Sequence, residues 1–381
     1  MKLIQITEGK ARILIPDPKE YSKEGKYDPS WAPVFYNPKM EFNRSISVIT
    51  VSILGPKSIV DALSATGVRG IRYYIESGSN IQEIIFNDKN PLAVKLITEN
   101  LKLNDVNNGK VLNKDANALL YEIKADFVDI DPFGSPSPFI LSSINATKRN
   151  GVVAYTATDL SPLQGTSRTS CRRKYDAEVD KLSFSREVGL RVLIGKIVRE
   201  AAILEKSVTP LFSFFKDYYY RIFAKVEAGA KKADNALDKL GYLYECMSCG
   251  YFFTSKSRNV DKCPRCSSTS LKIAGPLWLG KLNDISFLEK LRTQVNKFSY
   301  VTSFNEIMKL LDVLLSESKY DLIGYYRLDS LASKLKRNIP PREKLLECLG
   351  DGTVTHFDYR SIKTNKSFDE VLECIKTSSS N

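Results

Sequence analysis

The sequence predicts an α/β protein: a Rossmann-like sheet, a zinc-binding insertion and a smaller, mainly helical C-terminal domain. Three observations predict it. Four consecutive short apolar segments end in acid, at Asp61, Asp88, Asp115 and Asp131, each followed by a helical pattern. Two C-x-x-C pairs, Cys246/Cys249 and Cys263/Cys266, have thirteen residues between them. From Lys281 onward apolar residues recur at helical spacing. The expected boundaries are 1–230 for the sheet domain, 231–280 for the cysteine segment and 281–381 for the C-terminal domain.

Composition narrows the function classes. The chain has 381 residues and a net charge of +12, from 56 basic and 44 acidic side chains, which favours a polyanionic partner. Its single histidine, His356, argues against Ser-His and Cys-His hydrolase schemes. No signal peptide and no run of about 18 apolar residues is visible, so no membrane is expected and the location is expected to be cytoplasmic. Seven cysteines, four of them in paired turns, fit a reducing compartment with a metal site rather than a disulfide framework.

Taken in order, residues 1–45 show little periodicity but carry Tyr21, Tyr27, Trp31, Phe35 and Tyr36 among prolines, an arm that packs on the core or covers a ligand. Ser45 to Leu54 reads as a helix stopped at Gly55-Pro56. A strand over Ser58 to Leu63 leads into Ser64-Ala65-Thr66-Gly67-Val68-Arg69-Gly70 and a helix through Ile75, closed by Gly78. Strand, small-residue loop and helix N-terminus let backbone N–H groups approach a ligand, although only Gly67 and Gly70 stand where three glycines are usual. The strand from Ile81 to Phe86 ends at Asn87-Asp88, with Asp88 18 residues past Gly70, near the spacing of a ribose-binding acid. Asn90 as cap and Pro91 at the first position open a helix over Leu92 to Leu103. Lys110 to Asn113 is a third strand, with Asp115-Ala116 and a helix to Tyr121 after it. Ala125 to Val128 is the fourth, stopped by Asp131-Pro132 because proline has no N–H for the ladder.

Four strand-end acids in register imply a nucleoside-cofactor site. In that reading Asp88 takes a ribose diol, Asp115 accepts from an adenine amine, and Asp131 faces the substrate. Asp131-Pro132-Phe133-Gly134 places acceptors and a ring together, which suits methyl transfer to an amine conjugated with a stacked base. Gly151 to Thr158 is a fifth strand, followed by a basic loop, Asp159 to Tyr175, suited to phosphates. An amphipathic helix from Ser185 to Lys206 precedes a hairpin, Val208 to Phe215 and Tyr218 to Glu227, the usual ending of a methyltransferase sheet. A polar stretch, 228–240, marks a boundary. The four cysteines beyond it can enclose a tetrahedral Zn²⁺ and leave no open position for water, so a structural role is expected. Helices over Phe304 to Leu315, Leu328 to Leu335 and Pro341 to Cys348, with a strand-like tail from Thr353 to Tyr359, look like a basic winged-helix-type module.

Over most of its length the chain resembles the archaeal form of the tRNA guanine-N2 dimethyltransferases that modify position 26. The resemblance is carried by Phe35-Tyr36-Asn37-Pro38, Asn43-Arg44, the run from Asp61 to Gly67, Asn87-Asp88, Asp115-Ala116, Asp131-Pro132-Phe133-Gly134-Ser135, the run from Thr156 to Asp159, Arg173-Lys174-Tyr175 and the run from Gly275 to Gly280. It implies that Arg44, Arg69, Asp88, Asp115 and Ala116 hold S-adenosyl-L-methionine, and that Asp131, Pro132, Phe133 and Phe35 form the guanine site. It further implies tRNA as partner; the chain is expected to act as a monomer. Ser45 stands where members usually carry Asp, and zinc rests on cysteine spacing alone. Two rival classes share parts of the pattern. A nicotinamide-dependent dehydrogenase shares the strand-end acids, and a non-catalytic RNA-binding zinc protein shares the basicity. Among methyltransferases, an adenine-N6 enzyme uses a similar turn, whereas a cytosine-C5 enzyme needs a Pro-Cys dipeptide, which does not occur here.

Overall fold

A computed structural model of the chain describes residues 1–24 and 26–379. The chain divides into two compact units: Met1–Thr156 with Phe223–Ala228 and Glu289–Lys309, and the remainder. The first unit opens on an antiparallel hairpin, Leu3–Glu8 with Ala11–Pro16, paired from Leu3↔Pro16 to Glu8↔Ala11. Its turn needs Gly9, whose φ is +58° and where a Cβ would sit 2.4 Å from Glu76 Oε1. The hairpin was not expected from sequence, yet the alternation of Ala11, Ile13 and Ile15, all buried, is a strand signal.

The principal sheet contains β1 (Ser58–Asp61), β2 (Glu83–Asn87), β3 (Gly109–Leu112), β4 (Ala125–Ile130), β5 (Thr147–Ala157), β6 (Lys206–Lys216) and β7 (Tyr219–Ala228). Hydrogen bonding orders them β3-β2-β1-β4-β5-β7-β6. The pairs β1–β2, β1–β4, β2–β3 and β4–β5 are parallel. β6 and β7 are joined by two residues, a connection that only antiparallel strands make. Strand order reverses between β1 and β4, and the crevice beyond their carboxyl ends is where such sheets bind ligands.

The helices of the first unit include α1 (Glu41–Leu54), α2 (Val68–Glu76), α3 (Pro91–Leu103), α4 (Ala116–Glu122) and α5 (Ile140–Ala146). α1 begins four residues earlier than its apolar pattern suggests, and every residue from Phe42 to Val51 is buried. α3 starts as its sequence dictates, with the Asn90 side chain accepting from Leu92 N and Pro91 at the first position.

In the second unit α6 (Arg168–Tyr175) replaces the expected basic loop. Cys171 and Tyr175, one helical turn apart, are buried, and the Tyr175 hydroxyl donates to Asp159 Oδ1 at 2.7 Å. α7 (Ser185–Ile203) follows. A helix, Ala230–Leu237, occupies the stretch read as a boundary. A four-stranded sheet of Glu178–Val179, Leu271–Trp278, Leu240–Cys246 and Phe252–Ser255 carries the cysteine turns. Toward the C-terminus, Leu328–Leu335 and Arg342–Leu349 accompany a small sheet of Tyr326–Arg327, Ser361–Lys363 and Thr353–Val354. The expected tail strand is shorter, Thr353–Val354, and a last helix, Phe368–Ser378, was missed. Its capping box of Ser367 and Glu370 is visible in the sequence as S-x-x-E. Cys348 and Cys374 form a disulfide between two of these helices, against the all-thiol reading of the scattered cysteines. Among the described residues no helix is long and apolar enough to cross a membrane.

Candidate active site and four-cysteine cluster

The site forms where β1, β2, β3 and β4 end. After β1, the loop from Ala62 to Gly67 turns into α2, with Gly67 at φ +78° as its cap and Ala65 also left-handed at φ +50°. A Cβ on Gly70 would sit 2.4 Å from the Phe86 ring, so only glycine lets α2 approach β2 this closely. Two glycines therefore suffice because Ala65 takes the third special conformation. Asp61 Oδ2 accepts from Gly70 N at 3.2 Å and binds the strand end to the helix start.

Asp88 clasps two segments at once. Its Oδ2 accepts from Ala65 N at 2.9 Å, and its Oδ1 from Asn90 N at 2.8 Å. Asp115 caps α4, with Oδ1 accepting from Asn117 N at 2.9 Å and Ala118 N at 3.2 Å, while the residue itself stays exposed. Ala116 is buried behind it. Because β2 and β3 are parallel neighbours with Asn87 opposite Leu112, both acids lie on the same edge of the sheet, as their spacing predicts.

Asp131 follows β4 directly, and its carboxylate pairs with the guanidinium of Arg69 from α2. Arg69 is buried, and four further groups hold it. Nη2 donates to Asn43 Oδ1 at 2.9 Å, Nη1 to Ser47 Oγ at 3.3 Å and to the Tyr73 hydroxyl at 3.4 Å, and Nη1 lies 3.8 Å from Asp129 Oδ2. Burial alone would make Arg69 easier to deprotonate; Asp131 and Asp129 more than reverse that and raise its pKa well above the ordinary value. The two residues assigned separately to cofactor and catalysis are thus one ion pair.

Phe133 projects from the same turn and is 81% exposed. Phe35 is brought to it from the N-terminal arm, ring edge to face with centroids 5.9 Å apart. An exposed ring pair beside a carboxylate is a stacking platform for a flat heterocycle. Pro132 is half-buried between them in sequence.

Arg44 is held by a different acid. Its Nε and Nη2 grip Glu8 Oε1 and Oε2 at 2.6 and 2.5 Å, and Nη2 also donates to Asn37 O at 3.1 Å. Glu8 further accepts from Arg72 Nη1 at 2.9 Å and from the Tyr36 hydroxyl at 2.8 Å. Burial would push the Glu8 carboxyl up, but Arg44 first, with Arg72 and Tyr36, holds it down at about 2. Ser45 Oγ donates to Glu41 Oε1 at 2.5 Å and accepts from Arg72 Nη2 at 2.9 Å. Glu41, one turn earlier on α1, thus supplies the negative charge that Ser45 lacks.

Two acids escaped the sequence reading. Glu8 lies in the hairpin that was not foreseen. Asp129 lies inside β4, opposite Asp61 on β1, and is fully buried. Burial, then the neighbouring Asp129 charge, pushes the Asp61 carboxyl up to about 7. Asp129 stands one position before the end of β4, in a run that also holds Asp126, and the only signal available in the sequence is that a charge inside a buried strand needs a partner.

In the second unit the four predicted cysteines come together. Their Sγ atoms all lie within 4.8 Å of one another, with Cys246 and Cys266 at 3.6 Å and Cys249 and Cys263 at 3.8 Å. Those separations match the ~3.8 Å edge of a tetrahedron with Zn–S bonds of about 2.3 Å. On α6, Arg172 and Arg173 are exposed, while Lys174 pairs with Asp159 at 3.1 Å.

A family model for N2,N2-dimethylguanosine tRNA methyltransferases matches residues 9–376. A tRNA (guanine(26)-N(2))-dimethyltransferase of Saccharolobus islandicus is 59% identical over 379 residues, covering 99% of this chain and 100% of its own. The enzyme of the same name from Sulfurisphaera tokodaii is 57% identical over 376 residues, with the same coverage. A solved structure of Trm1 from Pyrococcus horikoshii with S-adenosyl-L-methionine superposes with a TM-score of 0.87 at 33% identity, covering 98% of this chain and 100% of that one.

Proposed function

We propose a division of labour among the site residues from the premise that this chain belongs to the N2,N2-dimethylguanosine tRNA methyltransferase family. It is a tRNA (guanine(26)-N(2))-dimethyltransferase, moving methyl groups from S-adenosyl-L-methionine to the exocyclic N2 amine and giving N2-methyl- and then N2,N2-dimethylguanosine. The observation that carries the residue assignment is the carboxylate of Asp131 beside an exposed aromatic pair at the strand-order reversal.

S-adenosyl-L-methionine supplies a methyl group made electrophilic by its sulfonium. Asp88 accepts from the ribose hydroxyls, and Asp115 with Ala116 reads the adenine edge. Arg44 and Arg69 supply positive charge toward the methionine carboxylate. Both already carry carboxylate partners, Glu8 and Asp131, so a bound carboxylate shares guanidinium groups that are held in place before it arrives. Phe133 and Phe35 stack the guanine once it has left the helix, a flip that costs a few kcal/mol. The guanine amine is a poor nucleophile because its lone pair delocalises into the ring. Arg69 engages Asp131 Oδ2, and among the described residues nothing engages Oδ1. Oδ1 therefore accepts one amine N–H, and the Pro132 carbonyl takes the other. Each transfer forms an N–CH3 bond and breaks the S–CH3 bond, whose electron pair stays on sulfur as S-adenosyl-L-homocysteine leaves, and the amine then loses one proton to solvent.

α6 and the C-terminal helices of segment 281–381 grip the tRNA backbone, and segment 231–280 holds one structural zinc through Cys246, Cys249, Cys263 and Cys266. The chain acts as a monomer in this reading; thiol ligands and a tRNA substrate support the cytoplasm. Elemental analysis is expected to find about one zinc per chain, and Cys249→Ser to lower the melting temperature while leaving cofactor affinity near wild type. Protein free of stoichiometric metal contradicts the zinc assignment. For the activity, nucleoside mass spectrometry of tRNA incubated with enzyme and cofactor is expected to show both methylated guanosines, mapping to position 26. Modification at adenine, or at another position alone, overturns the assignment.

A further inference from the structure

We propose that Tyr73 and Asp129 are positioning residues for methyl transfer, locking Arg69 so that it holds one oxygen of Asp131 and leaves the other to the substrate amine. This rests on the reading of Asp131 given above. Asp131 sits on a turn, with its side chain 22% exposed, and needs an anchor to keep one orientation. Among the described residues, Arg69 is its only ion-pair partner. What fixes Arg69 therefore fixes Asp131.

The buried side of that anchor is Asp129, which has no solvent exposure. Tyr73 donates its hydroxyl to Asp129 Oδ2 at 2.5 Å and accepts from Arg69 Nη1 at 3.4 Å. One hydroxyl thus joins the buried carboxylate to the guanidinium. Asn43 Oδ1 and Ser47 Oγ, both on α1, hold the other edges of the fork at 2.9 and 3.3 Å. A planar guanidinium tied from α1, α2 and β4 has no freedom to rotate away from Asp131. The arrangement joins a strand from one side of the switch point to a helix from the other, and the network meets at the reacting centre. Misplacement of a reacting group by about 1 Å can reduce rate about a hundredfold, so loss of the lock is expected to appear in kcat.

Tyr73→Phe is the selective test. The Tyr73 ring packs edge-on against Phe127 at 5.7 Å, and phenylalanine keeps that contact while deleting only the hydroxyl. The expected result, on the full chain with cofactor and tRNA, is an unchanged KM for tRNA and a kcat reduced roughly tenfold or more, with any rise in cofactor Kd through Arg69 smaller than the fall in kcat. Asp131→Asn, which keeps one acceptor oxygen and a measurable single-turnover rate, completes a double-mutant cycle. If Tyr73 acts through Asp131, adding Tyr73→Phe to Asp131→Asn lowers the rate no further, whereas a merely structural defect multiplies in both backgrounds. Asp129→Asn is expected to reproduce the same pattern; if it does not fold, Tyr73→Phe decides alone. An unchanged kcat, multiplicative losses, or a weakened cofactor Kd with kcat intact overturns the inference. A wild-type rate in Asp131→Asn is the separate outcome that removes the Asp131 reading itself.

Discussion

Asp131→Ala is expected to lower methyl transfer by about 10²–10⁴-fold, the range that orienting and acid–base groups contribute, while cofactor affinity stays near wild type. The two halves of that expectation come from separate elements. Asp88 and Asp115 end β2 and β3 and are held by backbone N–H groups of their own loops, so nothing in their geometry passes through Asp131. In the proposed site alanine at 131 removes the acceptor for the amine and frees one edge of Arg69, which Asn43, Ser47, Tyr73 and Asp129 still hold in place for the cofactor. Asp129 remains to balance the guanidinium, so the buried charge is not abandoned and the fold is expected to survive. Calorimetric titration with cofactor and a single-turnover assay on the same preparation check both halves. More than about a tenth of the wild-type rate removes Asp131 from its role.

The parts legible in the sequence were those written in local chemistry. Asp88 and Asp115 each close a short strand and open a helix, a pattern spanning only a few residues. The cysteine turns needed only their spacing. The positions of Asp131 and Phe133 followed from a proline that cannot extend a ladder. Partners joined over long separations were not legible. Nothing near Arg44 in the chain announces that Glu8, 36 residues earlier, pairs with its guanidinium. Asp129 becomes conspicuous only once β1 and β4 lie side by side and set it opposite Asp61. Other misses were local and recoverable. The hairpin over Leu3–Pro16 alternates, the cap of the last helix is a plain S-x-x-E, and Cys171 and Tyr175 share a helical face in a run read as loop for its charge. Net charge dominated that stretch and hid its periodicity.

The reading of the turn as an amine site explains why both an acid and a ring are needed. Asp131 cannot raise the nucleophilicity of a ring carbon by accepting a hydrogen bond, but it can orient an exocyclic amine whose lone pair otherwise lies in the ring plane's conjugation. In the proposed site Phe133 and Phe35 hold the heterocycle flat, so the methyl approaches the amine from the cofactor side. Guanine and adenine both fit that geometry in outline. Membership of a guanine-N2 family separates them, and so does a substrate lacking only the amine.

The most direct measurement is methyl transfer to tRNA carrying inosine in place of guanosine at position 26. Inosine keeps the ring, the carbonyl and the stacking faces but has no N2 amine. Binding is expected to change little, because phosphate contacts supply most of the affinity of a basic protein for tRNA. Transfer at position 26 is expected to vanish, with the guanosine tRNA methylated twice in the same assay. An inosine-substituted tRNA methylated at that nucleotide would contradict the assignment of N2 as the acceptor.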